Sequence, residues 1–495
     1  MTAFRHLPTG VSASRRLFAA ALCTAVLAPA PAQAWETQTH VGLAEQAAIA
    51  ARLDAHLRAL GWSGGMFEPL TVPTADAPEL LASLAQHSPI HGYVPDTRGR
   101  QTALGWLLAG SALADATPAW AANHFYDPQT GDGWRAPSAL DERWLARMRT
   151  QNTPARGVPA PDWVISRDNP LQLTGFLDQY EKAMRAPTAG ERGRHLAGAL
   201  VAAGAILHAL GDMAVPSRVR SDTAAHREQV GNDELDRGSR FERLATVAWG
   251  RLGVPTASRP VRRSSLRAFF TARAPGTAGT AGTATADGER GLADWVAAGY
   301  FSPATLPRVV AIGATRREAL APALTASLRR PAPVVPRRLN LMAASQARGA
   351  TLRDDAGVCQ ARYRVEDGRL SWWLDDDCLL EQAAAILPVA AAYEAGLLAF
   401  LLRGELAITA DGDGVAIAVG ATALGAGTLT VLGEDGRGVR TALTTAAVAG
   451  GGTATALGRA TLPADSRRAV ALFRGVDAAG EPLVAVGVFV PSSSP

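Results

Sequence analysis

Two long stretches of the chain repeat their apolar residues at helical spacing. Between Arg194 and Met213, the residues Leu196, Ala199, Leu200, Ala203, Leu207 and Leu210 recur every three or four positions, which is the period of one helix face. The alanine and leucine content suits a buried helix. A second such stretch runs from about Leu379 to Leu402, with Pro388 placed to kink it near its first third. From Trp35 to about Gly404 the pattern is helical throughout. After Gly404 the period changes to two: Leu406 and Ile408 alternate, then Val415, Ile417 and Val419, then Leu429 and Val431. Asp411-Gly412-Asp413-Gly414 and Glu434-Asp435-Gly436 between these runs are hairpin-turn chemistry. Further short apolar runs lie between Ala469 and Val490, and about 90 residues of short strands predict a small β-sandwich.

The expected architecture is therefore mainly α. A multi-helix domain spans 35–404 and a β-sandwich spans 405–495. Residues 274–288, rich in Gly-Thr-Ala repeats, read as a flexible surface insertion. Arg329 to Arg338, with three prolines, is a second non-helical connection, and Gly450 to Gly452 is a loop.

Residues 1–34 form a separate unit. The segment Phe18–Ala28 is apolar but short, as in a signal sequence, and Ala32-Gln33-Ala34 reads as a signal-peptidase site. Ser14-Arg15-Arg16-Leu17-Phe18 resembles the twin-arginine export signal, an ordinary secretory signal being the other reading. Cleavage after Ala34 would make Trp35 the mature N-terminus, with His40 five residues on. The expected location is periplasmic or secreted. No stretch of about 18 apolar residues remains after cleavage, so no membrane span is expected.

Charge alters little. The formal net charge is +4; residues 1–34 hold Arg5, Arg15 and Arg16 and no acids, so processing lowers it to +1. Without a dense basic run, nucleic-acid binding is not expected. Cys359 and Cys378 are the cysteines left after processing, and in an exported chain they read first as one disulfide.

Candidate chemistry gathers around histidine and aspartate. His208 and Asp212 are spaced i,i+4, on one face of an apolar helix. A carboxylate there needs a partner, and the spacing suits a metal site and a buried His–Asp hydrogen bond equally. His87 and His91 share the spacing, but Pro89 between them favours a loop. His195 lies round the helix from His208, and His56 reads as a surface helix residue. Trp372 and Trp373 read as packing around the cysteines.

The run Asn-His-Phe-Tyr-Asp-Pro-x-Thr-Gly from Asn123 to Gly131, the spacing of Asp115 ahead of His124, the pair His208 and Asp212, and Trp35 with His40 together resemble the bacterial zinc-dependent phospholipase C family. The resemblance covers roughly 35–404, with 251–377 as insertions that do not align. It implies one zinc held by Asp115, His124, His208 and Asp212. A second would be held by His40, Asp212 and the amine and carbonyl of Trp35, with Asp212 bridging. Nitrogen and carboxylate ligands suit zinc, and an α-amine yields its proton readily. The implied reaction is phosphodiester hydrolysis, most of all of phospholipids, by a hydroxide shared between metals and oriented by Asp115. Peripheral membrane contact is an implied partner interaction.

The chain also departs from the family. A third zinc site there uses two histidines and a carboxylate, but this chain has Arg218 and a position near Gly238 where the histidines would be, and keeps only Glu242. Arg218 cannot ligate zinc, because its guanidinium stays protonated. Three readings follow. Arg218 stands in for the third zinc and grips phosphate; or His226, with Glu242 or Asp233, rebuilds the site; or the protein is a non-catalytic binding protein. An Arg218–Glu242 salt bridge fits all three. A single-strand nuclease is the remaining alternative within the same superfamily.

Overall fold

The computed structural model describes residues 37–78, 81–82, 95–114, 118–135, 156–223, 225, 239–249, 259–273, 290–307, 310–311, 339–449 and 456–491. The expectations for 1–34, Trp35, His87, His91, Asp115, His226, Asp233, Gly238 and the connections at 274–288, 329–338 and 450–452 lie outside these residues.

The helical part is assembled around one buried helix. Helix α1 spans Thr37–Ala50, α2 Leu53–Ala59, α3 Ala103–Leu113, α4 Leu173–Arg185 and α5 Ala189–Gly211, which passes into a 3-10 turn at Asp212–Ala214. A capping box starts α5: Thr188 Oγ1 accepts from the Glu191 amide, and Glu191 Oε2 accepts from the Thr188 amide. Leu196, Leu200, Ala203, Leu207 and Leu210 are all buried, as their spacing requires. Small residues let α3 lie close against α5. A Cβ on Gly204 would stand 2.0 Å from Leu107 O, and one on Gly110 would stand 1.9 Å from Val201 O.

After α6 (Arg240–Ala248), α7 (Leu266–Phe270) and α8 (Leu292–Gly299), the long α9 spans Asp376–Leu401. Asp375 caps it by accepting from the Cys378 amide at 2.9 Å. Pro388 lies within α9 without ending it. The stretch ending at Ala214 and α9 are each long and apolar enough to cross a membrane. However, 94% and 67% of their apolar windows are buried in the fold, as in core helices. This corrects the expectation that the processed chain holds no such stretch.

The 35–404 region is not purely helical. Strands β1 (Pro69–Thr71) and β2 (Arg100–Thr102) pair. β3 (Val310–Ala311), β4 (Ala350–Arg353), β5 (Cys359–Glu366) and β6 (Arg369–Trp373) form a sheet in the order β3-β6-β5-β4. Cys359 on β5 and Cys378 on α9 are joined in a disulfide, which ties this sheet to the helix. The Tyr363 and Trp372 rings, on paired strands β5 and β6, lie 5.2 Å apart at a tilt of 38°. About 41% of the described residues are helical and 24% are in strands, so the mainly α expectation holds only in part.

The C-terminal region departs from the expected sandwich. β7 (Gly404–Asp411), β8 (Gly414–Val419), β9 (Leu424–Glu434), β10 (Arg440–Val448), β11 (Ala456–Thr461), β12 (Arg468–Asp477) and β13 (Pro482–Phe489) form one sheet, ordered β10-β9-β12-β13-β7-β8-β11 and nearly closed into a barrel. β7 and β13 pair in parallel; the other pairs are antiparallel. Bulges in the β9–β10, β8–β11 and β9–β12 pairings bend the strands. The period of two explains how the sheet serves two cores. Ala469, Ala471, Phe473, Leu483 and Ala485 face the barrel's interior, whereas Val470, Leu472, Val484 and Val486 join the helical core.

Candidate metal centre

Asp212 sits at the junction of α5 and its 3-10 turn, fully buried. Its Oδ2 lies 2.9 Å from His124 Nδ1 and 3.3 Å from His208 Nε2. Its Oδ1 lies 3.3 Å from His40 Nε2 and 3.4 Å from Arg218 Nε. One carboxylate therefore joins α1, the loop at His124, α5 and the segment after it. The i,i+4 spacing of His208 and Asp212 does place both on one face. Four sequence-predicted ligands, His40, His124, His208 and Asp212, converge here.

The loop bearing His124 is shaped by its own motif. Asn123 Oδ1 accepts from the Val158 amide at 2.7 Å, and Asp127 Oδ1 accepts from the Gln129 amide at 2.9 Å. Gly131 closes the turn at φ +79, a conformation that favours glycine. Arg273 Nη1 holds the turn by donating to Pro128 O and Gln129 O.

The surroundings of His208 fix its tautomer. His208 Nδ1 lies 2.7 Å from Ser111 O. A carbonyl only accepts, so Nδ1 carries the proton and a neutral His208 turns an Nε2 lone pair toward Asp212. A lone pair facing a carboxylate oxygen needs a proton or a cation between them. The rings of His40 and His208 stack with centroids 3.6 Å apart. Protonating both would place two buried cations face to face, which burial disfavours. Ligand atoms of His40, His208 and Asp212 all lie within 4.8 Å of one another, the spread one metal ion spans. The donor set fits zinc.

Arg218 and Glu242 form the salt bridge. Arg218 is 2% exposed; its Nε donates to Glu242 Oε1 at 3.1 Å, and its guanidinium lies over the Phe125 ring. The other Glu242 oxygen accepts from the Ser239 amide within the capping box that begins α6. Glu242 thus has a contact on each oxygen, and Arg218 Nε lies between it and Asp212. Burial raises the Asp212 carboxyl, but Arg218, His208 and His40 outweigh it and hold that carboxyl well below the ordinary range.

Glu394, on α9, was not singled out from the sequence. It is 1% exposed, and neither carboxylate oxygen has a hydrogen-bond partner among the described residues. Burial lifts its carboxyl well above the usual range; His208 draws it down and Asp212 pushes it up. The signal for it was available, because Glu394 is a lone acid in the apolar run Ala390 to Phe400. Among the described residues, the two other histidines, His56 and His195, lie outside the cluster. His195 Nδ1 contacts Gln179 Oε1 at 2.8 Å. His56 is half-buried against Tyr180 Oη at 2.8 Å, where a surface position was expected.

No protein-family model and no curated protein matches the chain. Among solved structures, it is similar to the alpha toxin from Clostridium absonum at 12% identity and a TM-score of 0.29, covering 93% of this chain and 96% of that one. It is also similar to the alpha-toxin of Clostridium perfringens avian strain SWCP at 11% identity and a TM-score of 0.27, covering 93% and 99%. Likeness at this level carries no argument about chemistry.

Proposed function

We propose that this chain is an exported zinc-dependent phosphodiester hydrolase of the phospholipase C type, acting on phospholipids with peripheral membrane contact. The carrying observation is Asp212, which turns one oxygen to His124 and His208 and the other to His40. That is the disposition of a carboxylate shared between two metal positions. His124, His208 and Asp212, with Asp115, would hold one zinc; His40, Asp212 and the amine and carbonyl of Trp35 would hold the other. Bound zinc supplies a water of lowered pKa and polarises a phosphoryl oxygen. The chain's own residues do the rest. Ser111 O fixes the tautomer of His208, so that Nε2 stays a ligand. Asp115 takes the part of the base that orients the attacking water. Arg218 keeps a permanent positive charge beside Asp212 and favours charge building on the phosphate.

A second reading, a non-catalytic binding protein, draws support from the Arg218–Glu242 pair. That pair fills the place that the resemblance assigns to a third zinc. Metal content of the processed protein, its N-terminal sequence and hydrolysis of a chromogenic phosphocholine ester separate the two. The hydrolase reading expects about two zinc ions per chain, a start at Trp35, and hydrolysis abolished by a chelator. Zinc without hydrolysis, or no zinc at all, overturns the hydrolase reading and leaves the binding protein.

A further inference from the structure

Glu394 has no structural role among the described residues that accounts for its burial. Its carboxylate is 1% exposed and accepts no hydrogen bond from them. A buried carboxylate without a partner is costly, and proteins keep such groups where a cation or a functional donor compensates. Its place is specific. A Cβ built on Gly211 would stand 2.6 Å from Glu394 Oε1, 3.1 Å from His40 Nδ1 and 3.3 Å from His40 Cε1. The bare face of Gly211, one residue before Asp212, is what admits the Glu394 carboxylate alongside the back of the His40 ring. The Nε2 edge of that ring is the one turned to Asp212.

We propose that Glu394 is the outer carboxylate of the metal centre: lying on the Nδ1 side of His40, it takes up that ring's proton once a cation is bound and balances the charge of the cation held by His40 and Asp212. This rests on the metal reading above and deepens it. A carboxylate that accepts the second ring N–H of a ligating histidine fixes the ring's orientation and raises its basicity as a ligand. Glycine at 211 is then a requirement of the site, because any side chain there would push the carboxylate away. A positioning residue of this kind pulls two measurements in opposite directions. Its removal weakens the metal and relieves the metal-free protein of an uncompensated buried acid.

Zinc affinity of the full processed chain would be read by competition with a metallochromic chelator, alongside the melting temperature of the metal-free form. Glu394→Gln keeps the side chain's shape. It is expected to weaken zinc binding about 10- to 100-fold while the metal-free protein melts no lower than its parent. Gly211→Ala is expected to weaken zinc in the same direction without touching either group's chemistry. Unchanged zinc affinity in Glu394→Gln, with a lower metal-free melting temperature, would show an ordinary structural acid and overturn the proposal. A parent chain that binds no zinc would instead remove the metal reading on which it depends.

Discussion

At the scale of single residues, the centre is a balance of buried charge. Asp212 and Glu242 are both fully buried, and Arg218 Nε reaches both. Removing one member of a buried pair costs more than the pair is worth, because it strands the other charge. Glu242→Gln keeps the size of the cap at α6 but removes one of the two carboxylates that Arg218 Nε reaches. The expected loss is about 2–3 kcal/mol, below the full value for a broken pair because Asp212 remains. Urea denaturation of the metal-free protein measures it, and a loss under about half a kilocalorie would mean that the Glu242 charge adds little to what else holds Arg218.

Among the elements, α3 and α5 set the position of His208. They approach because Gly110 and Gly204 carry no side chains, and Ser111 on α3 then lies against His208 on α5. Gly204→Ala drives a methyl into Leu107 O. It is expected to destabilise the fold by about 1–3 kcal/mol and to weaken zinc binding by spoiling the Ser111 contact. Thermal melting and chelator competition would read the two effects, and a variant with both unchanged would show that the helices can slide apart freely.

The contact between α2 and α4 carries a pH dependence. Burial against Tyr180 lowers His56 from 6.5 to about 4. Its folded pKa is below its unfolded pKa, so the unfolded chain binds more protons between those values. Stability is then complete above about pH 6.5 and falls as the pH drops toward 4. His56→Phe should flatten that part of the melting profile, whereas an unchanged slope would assign it to other groups.

For the whole molecule, the barrel is fastened to the helices by buried charge. Arg440 Nε donates to Glu434 at 2.7 Å, and its Nη1 donates to Met184 O on α4. Arg192 on α5 donates to Gly438 O at 3.0 Å and lies 3.7 Å from the same Glu434. Burial and the neighbouring Arg192 lower Arg440 to about 10 against the opposing pull of Glu434. Glu434→Ala would leave these guanidinium groups together without their anion. The expected cost is about 3 kcal/mol, and calorimetry should resolve separate transitions for the helical part and the barrel. A single unshifted transition would show that the apolar seam of Val470, Leu472, Val484 and Val486 suffices.

What the sequence determined by itself was whatever depends on local spacing. The apolar period marked α5 and α9, the i,i+4 rule set His208 and Asp212 on one face, and the change to a period of two marked where the barrel begins. Two cysteines were enough to expect their bond. Tertiary structure decided what depends on residues far apart in the chain. Short strands near Cys359 carry little periodicity, and the sheet they form is fixed by pairing and by the disulfide to α9. Alternation along β12 and β13 said that two faces exist, but only packing against the helices made both of them core, and bulges curled one continuous sheet instead of stacking two. Convergence of His40, His124 and His208 on one aspartate, and the presence of Glu394 behind them, follows from helices meeting at glycines. No local pattern encodes that meeting, because the distance between two side chains on different elements is set by how closely their backbones pack.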